Sequence, residues 1–234
     1  MAVLKNSFVL IDYIVRVKDT GELIDTTLED VAKKENKWEA DKVYEPLLVI
    51  VGENRVIQGL EEHIENFAEV GKEFEIEIPP EKAYGVRESS KVKIVGIREL
   101  LKNNVVPEVG KTVELNGQVG VIKAVTGGRV LIDFNHPLAG KTLLCRYKVV
   151  KILEDDVEKV RYLLHRRYRR MPVERFSVVA DPSSNSITIE VPKEILLDKD
   201  LQLVKAIVAE EVYKYIGKYS TVTYVERFEK ISKQ

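Results

Sequence analysis

Ile78-Pro79-Pro80-Glu81-Lys82-Ala83-Tyr84-Gly85 and, about 50 residues later, Asn135-His136-Pro137-Leu138-Ala139-Gly140-Lys141 are the stretches on which the fold of this 234-residue chain turns. They bracket a change of composition. Before the first, Glu73 to Ile78 alternates Glu with Phe or Ile, the period-2 signature of a half-buried strand. After the second, Leu143 to Leu153 returns to a strand pattern. Between them Val92 to Ile97, Val105-Val106, Val119 to Val125 and Val130 to Phe134 are short apolar strands. Gly-containing turns such as Asn116-Gly117 and Gly127-Gly128 separate them. Residues 86–134 therefore read as a small all-β module set inside a larger domain.

Upstream, Phe8 to Lys18 and Leu47 to Val51 are strands rich in β-branched residues. Leu60 to Phe67 carries Leu60, Ile64 and Phe67 at spacings of four and three, a short amphipathic helix starting just after Gly59. Several strands and one short helix predict a curved antiparallel sheet wrapped over that helix. Residues 27–45, with the only Trp (Trp38), read as a charged surface excursion holding at most one helical turn. From Asp155 a third unit begins. Val157 to Tyr168 is helical, Arg175 to Ala180 and Ser186 to Val191 are strands, Leu201 to Ile216 is a longer helix stopped by Gly217, and Ser220 to Phe228 is a strand. The fold class is α+β, with units at 1–85 plus 135–154, 86–134, and 155–234.

Charge separates the same units. The whole chain carries 37 Lys+Arg against 38 Asp+Glu, a net charge of −1. Counted by unit, the balance is −6 for the outer domain, +3 for the insert and +2 for the C-terminal unit. A uniformly basic nucleic-acid binder is excluded, while a local basic patch is not. One cysteine makes neither an intramolecular disulfide nor a thiolate metal cluster, which fits a reducing compartment. No stretch has the pattern of an export signal or the roughly 20 apolar residues of a membrane span. The expectation is a cytoplasmic protein with no membrane contact. The three histidines lack metal-ligand spacing and no phosphate loop is present, so hydrolase, kinase and dehydrogenase readings have no residue support. No metal site and no cofactor are expected.

Tyr13 with Ile24-Asp25, then Val56-Ile57-Gln58-Gly59-Leu60-Glu61, then the two stretches quoted first, form an ordered set that resembles the FKBP family of peptidyl-prolyl cis-trans isomerases. The spacing of the last two is similar to the SlyD-type branch, in which a chaperone domain is inserted in the flap, and the layout after 154 to its longer archaeal form. The resemblance implies an FKBP-like sheet over residues 3–154 and prolyl isomerisation of unfolded or nascent polypeptides. It implies a pocket lined by Tyr13, Ile24, Asp25, Leu47, Val56, Ile57, Leu60, Tyr84, Leu138 and Cys145. Ile57 would offer a backbone N–H and Tyr84 a hydroxyl to the carbonyls beside the prolyl bond, with Asp25 and Tyr13 as the polar wall. Leu60 stands where many relatives have Trp, and Cys145 where they usually have Phe, so a weakly catalytic or non-catalytic holdase on the same scaffold is the alternative.

The chemistry itself needs no nucleophile. Rotation about an Xaa-Pro bond crosses a barrier of about 18–20 kcal/mol. The twisted imide has lost amide resonance and is less polar than the planar one, so an apolar pocket with fixed donors for the flanking carbonyls favours it. In the insert, Ile94, Val95, Ile97, Leu100, Leu101, Val105 and Val106 are either substrate-binding surface or the module's own core. Cys145 reads as a small buried hydrophobe and His136 as a turn residue. The run Arg161 to Arg170, with interleaved Tyr162 and Tyr168, reads as a solvated face paired with acids such as Glu158, or as a contact to RNA or the ribosome. Val204, Val208, Val212 and Tyr215 stripe one helix as domain core, and the archaeal resemblance implies a homodimer through the C-terminal domain.

Overall fold

The computed structural model describes residues 3–102 and 105–228. The first lobe supplies β1 (Phe8–Val17), β2 (Leu23–Thr26), β3 (Leu47–Ile50) and β4 (Glu73–Ile78). The insert supplies β5 (Val92–Gly96), β6 (Thr112–Leu115), β7 (Gln118–Thr126) and β8 (Arg129–Asp133), so the strand that re-enters the lobe is β9 (Leu143–Leu153). β1 is the axis. It pairs with β9 along its whole length, from Phe8↔Leu153 to Val17↔Leu143. Its other edge is shared by β3 (Phe8↔Ile50) and β2 (Ile14↔Thr26), and β4 lies outside β9 (Ile76↔Cys145). Register shifts between Leu10 and Ile11 and between Val15 and Arg16 add the local twist that curves the sheet.

Both faces of this sheet are buried, because β1 alternates between two apolar sets. Val9, Ile11, Val15 and Val17 face Leu60 and Ile64 of the helix α2 (Gln58–Phe67), together with Cys145, Tyr147 and Val149. α1 (Glu29–Lys34) is the single short helix in the excursion between β2 and β3. A Cβ on Gly59 would stand 2.6 Å from Ile78 Cγ2, which explains a glycine inside the first turn of α2. The opposite face (Phe8, Leu10, Leu48, Ile50 and Leu153) merges into a second core with Val160, Leu163, Phe176, Ile187, Ile189 and Val208. The C-terminal domain is therefore packed onto the back of the sheet.

That domain runs α4 (Asp156–His165), β10 (Ser177–Asp181), β11 (Ser186–Glu190), α5 (Leu201–Glu211) and β12 (Thr221–Val225), after the insert's own helix α3 (Ile97–Lys102). Asp155 caps α4 by accepting the Glu158 N–H at 2.8 Å. β10 and β11 are antiparallel, and β12 joins β11 in parallel after the helical crossover. A π-turn over Val212–Ile216 extends α5 to Gly217, whose φ of 71° ends it. Val208 and Val212 are inaccessible and Val204 and Tyr215 pack beside them, so the stripe is core.

The insert forms a four-stranded sheet in the order β5-β8-β7-β6 over its own core of Leu100, Val113, Leu115, Ile122, Val130 and Ile132. It departs from an all-β module. Ile97, Leu100 and Leu101 have helical spacing and form α3, while Val105 and Val106 lie outside any strand. Leu100 is wholly buried and so is not binding surface. Among the described residues no helix is long and apolar enough to cross a membrane.

Candidate active site

The β1–β2 pairing sets Tyr13 beside Asp25, and the Tyr13 hydroxyl donates to Asp25 Oδ2 at 2.6 Å. Three further contacts hold the pair. The Tyr13 N–H donates to Thr27 Oγ1 at 3.0 Å, Thr26 Oγ1 donates to the Tyr13 carbonyl at 2.9 Å, and Lys42 Nζ donates to the second Asp25 oxygen. Lys42 comes from the α1–β3 excursion and was not legible as a site residue, since one Lys among many in a charged loop carries no pattern. Burial pushes the Tyr13 phenol well up from its ordinary range. The hydrogen bond to Asp25 adds to the shift, and the nearby Arg169 guanidinium opposes it. Tyr13 thus keeps its proton and presents Asp25 as an oriented carboxylate.

Beside this pair Ile24, Leu47, Val56, Ile57 and Leu138 are half-buried around the fully buried Leu60 and Cys145. Val56 and Ile57 are positioned by Glu61, a buried α2 carboxylate whose Oε1 accepts the N–H groups of Gly52 (2.7 Å) and Asn54 (3.1 Å). That clamp fixes the loop running into α2. The Ile57 carbonyl caps the helix, taking the Leu60 and Glu61 N–H groups. Its own N–H has no acceptor among the described residues, as a donor reserved for a substrate carbonyl would. Cys145 sits between Val15 and Ile76 in mid-sheet, and burial pushes its thiol up to about 12. It is a neutral wall.

Tyr84 stands at the rim, 38% exposed, with its ring stacked on His136 at 4.4 Å and 1° between planes. His136 is a turn residue, its Nδ1 accepting the Leu138 N–H at 3.1 Å. It also holds the Tyr84 ring, a role that spacing alone does not reveal because the two motifs are 52 residues apart. The motifs meet again where the Gly140 N–H donates to the Gly85 carbonyl at 2.8 Å. Asn135 then exchanges hydrogen bonds with the Glu88 backbone at 2.9 Å each way. The insert thus leaves and returns through one clasp.

Of the insert residues, Ile94 and Leu101 are exposed, whereas Val95, Ile97 and Val105 are half-buried against the insert core. Strand register places Val92, Ile94, Val119, Val121, Ala124 and Leu131 together on the face turned away from that core. Val119 and Leu131 were not among the expected surface residues, because a fully apolar run does not reveal which face is covered.

The arginine run is neither a solvated face nor paired with Glu158, which bonds Lys151 instead. Its residues form the seam between C-terminal domain and first lobe. Arg166 holds Glu53 bidentately at 2.9 and 3.0 Å and shares Glu211 with Arg167. Arg169 and His165 converge on Glu45 at 2.9–3.0 Å. Arg161 donates to the Phe176 carbonyl at 3.0 Å, and only the Arg170–Asp41 pair is open to solvent, at 72% and 95% exposure. Phosphate contacts would have to displace buried carboxylates, so the run loses its case as an open RNA-binding strip.

Three family models match the chain in succession. Residues 2–101 match the model described as FKBP-type peptidyl-prolyl cis-trans isomerase, 93–138 that of the FKBP26 IF domain, and 156–229 that of the FKBP26 C-terminal domain. The short-type peptidyl-prolyl cis-trans isomerase of Methanocaldococcus jannaschii is 37% identical over 145 residues, covering 62% of this chain and 90% of its own. The FKBP-type isomerase SlyD of Helicobacter pylori is 36% identical over 157 residues, 64% of this chain and 75% of its own. The SlyD of Treponema pallidum is 33% identical, with 71% and 87% covered. With an FKBP sheet, an insert between its Ala-Tyr-Gly and Asn-His-Pro motifs and relatives of this similarity, the chain belongs to the FKBP-type peptidyl-prolyl cis-trans isomerases.

Proposed function

We propose that this chain isomerises Xaa-Pro bonds at the site built by Tyr13, Asp25, Ile57 and Tyr84, and retains unfolded polypeptide on its insert. The observation that carries the reading is the unused Ile57 N–H beside an apolar cluster walled by the Tyr13–Asp25 pair. The proline ring enters among Ile24, Leu47, Val56, Leu60, Leu138 and Cys145. Ile57 N–H and the Tyr84 hydroxyl steady the carbonyls on either side of the twisting bond. Because the twisted imide has a more pyramidal, amine-like nitrogen, the apolar surroundings favour it over the planar state. No proton need move, and none of the groups has to change charge.

The units are proposed as 1–85 plus 135–154, 86–134 and 155–234. The second face of the insert sheet, with Ile94 65% and Val119 61% exposed, supports a holding surface for apolar segments. Tethering such a surface to the prolyl site raises the local concentration of substrate. Exposed Val179 on the edge strand β10, with Leu197 and Leu203, supports a homodimer through the C-terminal domain. A cytoplasmic location rests on the sequence grounds given above. The second reading, a holdase with little turnover, is favoured by Leu60 and Cys145, which leave the pocket without an aromatic floor.

A protease-free assay on the proline-limited refolding of a protein substrate separates the two. Acceleration that Asp25→Asn reduces at least tenfold supports the isomerase. Refolding at the buffer rate, with aggregation still suppressed, refutes it in favour of the holdase.

A further inference from the structure

Beyond the prolyl site the first lobe and the C-terminal domain line two neighbouring hollows. The smaller, of about 260 Å³, is shared by Leu47 and Val56 of the prolyl cluster with Arg55, Arg166 and Arg169. The larger, of about 1000 Å³, shares Arg166 and Arg169 with it and continues outward over Val43, Met171, Pro172 and Ile195. Lys42 lies on its wall while also holding Asp25, so the groove begins where the prolyl site ends. Arg169 is close enough to Tyr13 to act on its phenol electrostatically. The C-terminal domain therefore contributes to the surroundings of the reacting bond.

The groove has a definite chemistry. Its floor is apolar, Arg166, Arg167 and Arg169 on its inner wall are held by Glu53, Glu211 and Glu45, and its outer rim carries Arg170 and Arg175. The acids that do line it, Asp41 and Glu194, are exposed and tied only to the outer arginines Arg170 and Arg175. Solvent-exposed pairs of this kind are weakly held, so an incoming carboxylate can replace either at little cost. The span and the mixed lining suit an extended polypeptide carrying apolar and acidic side chains.

We propose that this groove is a substrate subsite of the isomerase, taking the segment that flanks the proline and preferring acidic residues in it. The proposal rests on the prolyl-isomerase reading of the Tyr13–Asp25 site. Its experiment uses the full chain, a short uncharged proline peptide, and longer peptides with two flanking residues as Glu, Gln or Lys on either side. Isomerisation is followed by NMR exchange and binding by fluorescence anisotropy. The double variant R170E/R175E reverses the charge of the outer rim and touches no group of the prolyl site. The Glu-flanked peptide is expected to bind and turn over at least fivefold better than the Lys-flanked one. That advantage should shrink with added salt and be lost or inverted in R170E/R175E, while the short peptide is unaffected. Equal handling of Glu, Gln and Lys flanks by both proteins overturns the subsite and leaves the isomerase intact. Absence of turnover for every peptide refutes the isomerase reading instead, and the anisotropy series still decides the groove. Binding of a single-stranded RNA that R170E/R175E abolishes, with no discrimination among peptides, overturns the subsite in favour of nucleic acid.

Discussion

Glu211→Gln should be one of the most damaging single conservative changes in the C-terminal domain. The Glu211 side chain is 11% exposed and its Oε1 takes both Arg166 and Arg167, themselves 9% and 16% exposed. Burial pushes the Arg167 guanidinium down from its ordinary range even with Glu211 beside it, so desolvation outweighs the attraction. Gln keeps the volume and one acceptor but removes the charge. Arg166 would retain Glu53, and Arg167 only the Leu163 carbonyl at 3.2 Å. Removing one partner of a buried pair costs about 3–5 kcal/mol, and the retained acceptor puts the expectation near the lower end, about 3 kcal/mol. Asp41→Asn serves as control. It breaks the exposed pair with Arg170 and should cost less than about 1 kcal/mol. Urea denaturation followed by Trp38 fluorescence, which reports on the first lobe, measures both. The test bears on coupling, because a loss in the C-terminal domain should shift a transition read from the other side of the seam. Arg167→Met in the Glu211→Gln background should recover stability by removing the uncompensated cation. Losses of similar size for Glu211→Gln and Asp41→Asn would refute the argument, as would a Trp38 transition that does not move.

Three further outcomes follow from the packing of the insert and the sheet. Leu100→Ala should cost about 2–5 kcal/mol within the insert, whose core is its own, and hydrogen exchange should quicken in 92–133 while β1 and β9 stay protected. Ile94→Glu, on an exposed position, should leave stability within about 0.5 kcal/mol and weaken suppression of aggregation, while turnover of short peptides is unchanged. Cys145, with its thiol raised from 9.0 to about 12, contributes stability that is complete below pH 9 and falls at about 1.4 kcal/mol per pH unit above it. Denaturation at pH 8, 9 and 10 should therefore narrow the gap between wild type and Cys145→Ala. A constant gap, or rapid alkylation of the native thiol at pH 8, would show that Cys145 is not buried as described.

How much could be read beforehand differs by element, for physical reasons. β4, β9 and α2 were legible because their apolar spacing meets a single face, and β1 because its long run of β-branched residues suits a strand buried on both faces. The family resemblance implied that Tyr13, Asp25, Val56, Ile57 and Cys145 line one pocket, and the fold brings them together. α3 was missed because Ile97-Arg98-Glu99-Leu100 follows directly on a strand, and six residues give too little period to separate helix from strand. Lys42 and the His136 ring needed the third dimension, since each acts on a residue brought near by folding. The arginine run misled for the same reason. Helical spacing gave Arg166 and Arg169 an outward face, but the carboxylates that receive them, Glu45 and Glu53, lie more than 100 positions earlier.

That misreading also changes what the C-terminal domain is. An appended domain would meet the lobe through a polar, separable surface. Here Phe8 and Leu10, in the strand that carries Tyr13 three residues further on, are buried in the C-terminal domain's own core. Phe8 lies edge-on to Tyr215 with centroids 6.5 Å apart, and Glu45 and Glu53, which flank β3, are held by His165 and Arg166. The same domain therefore packs the back of β1, steadies the loop that leads to Val56 and Ile57, and places Arg169 near Tyr13. Cutting the chain at 154 would uncover Phe8, Leu10, Leu48, Ile50 and Leu153 at once. Such a fragment would lose activity and self-associate whether or not the whole protein dimerises. Removing 86–134 is the cleaner dissection, because among the described residues the insert's core is separate from the lobe's and the insert leaves through the Gly85–Gly140 clasp. A separable insert and an integral C-terminal domain are what an isomerase needs if the chain is held by one and seated beside the prolyl bond by the other.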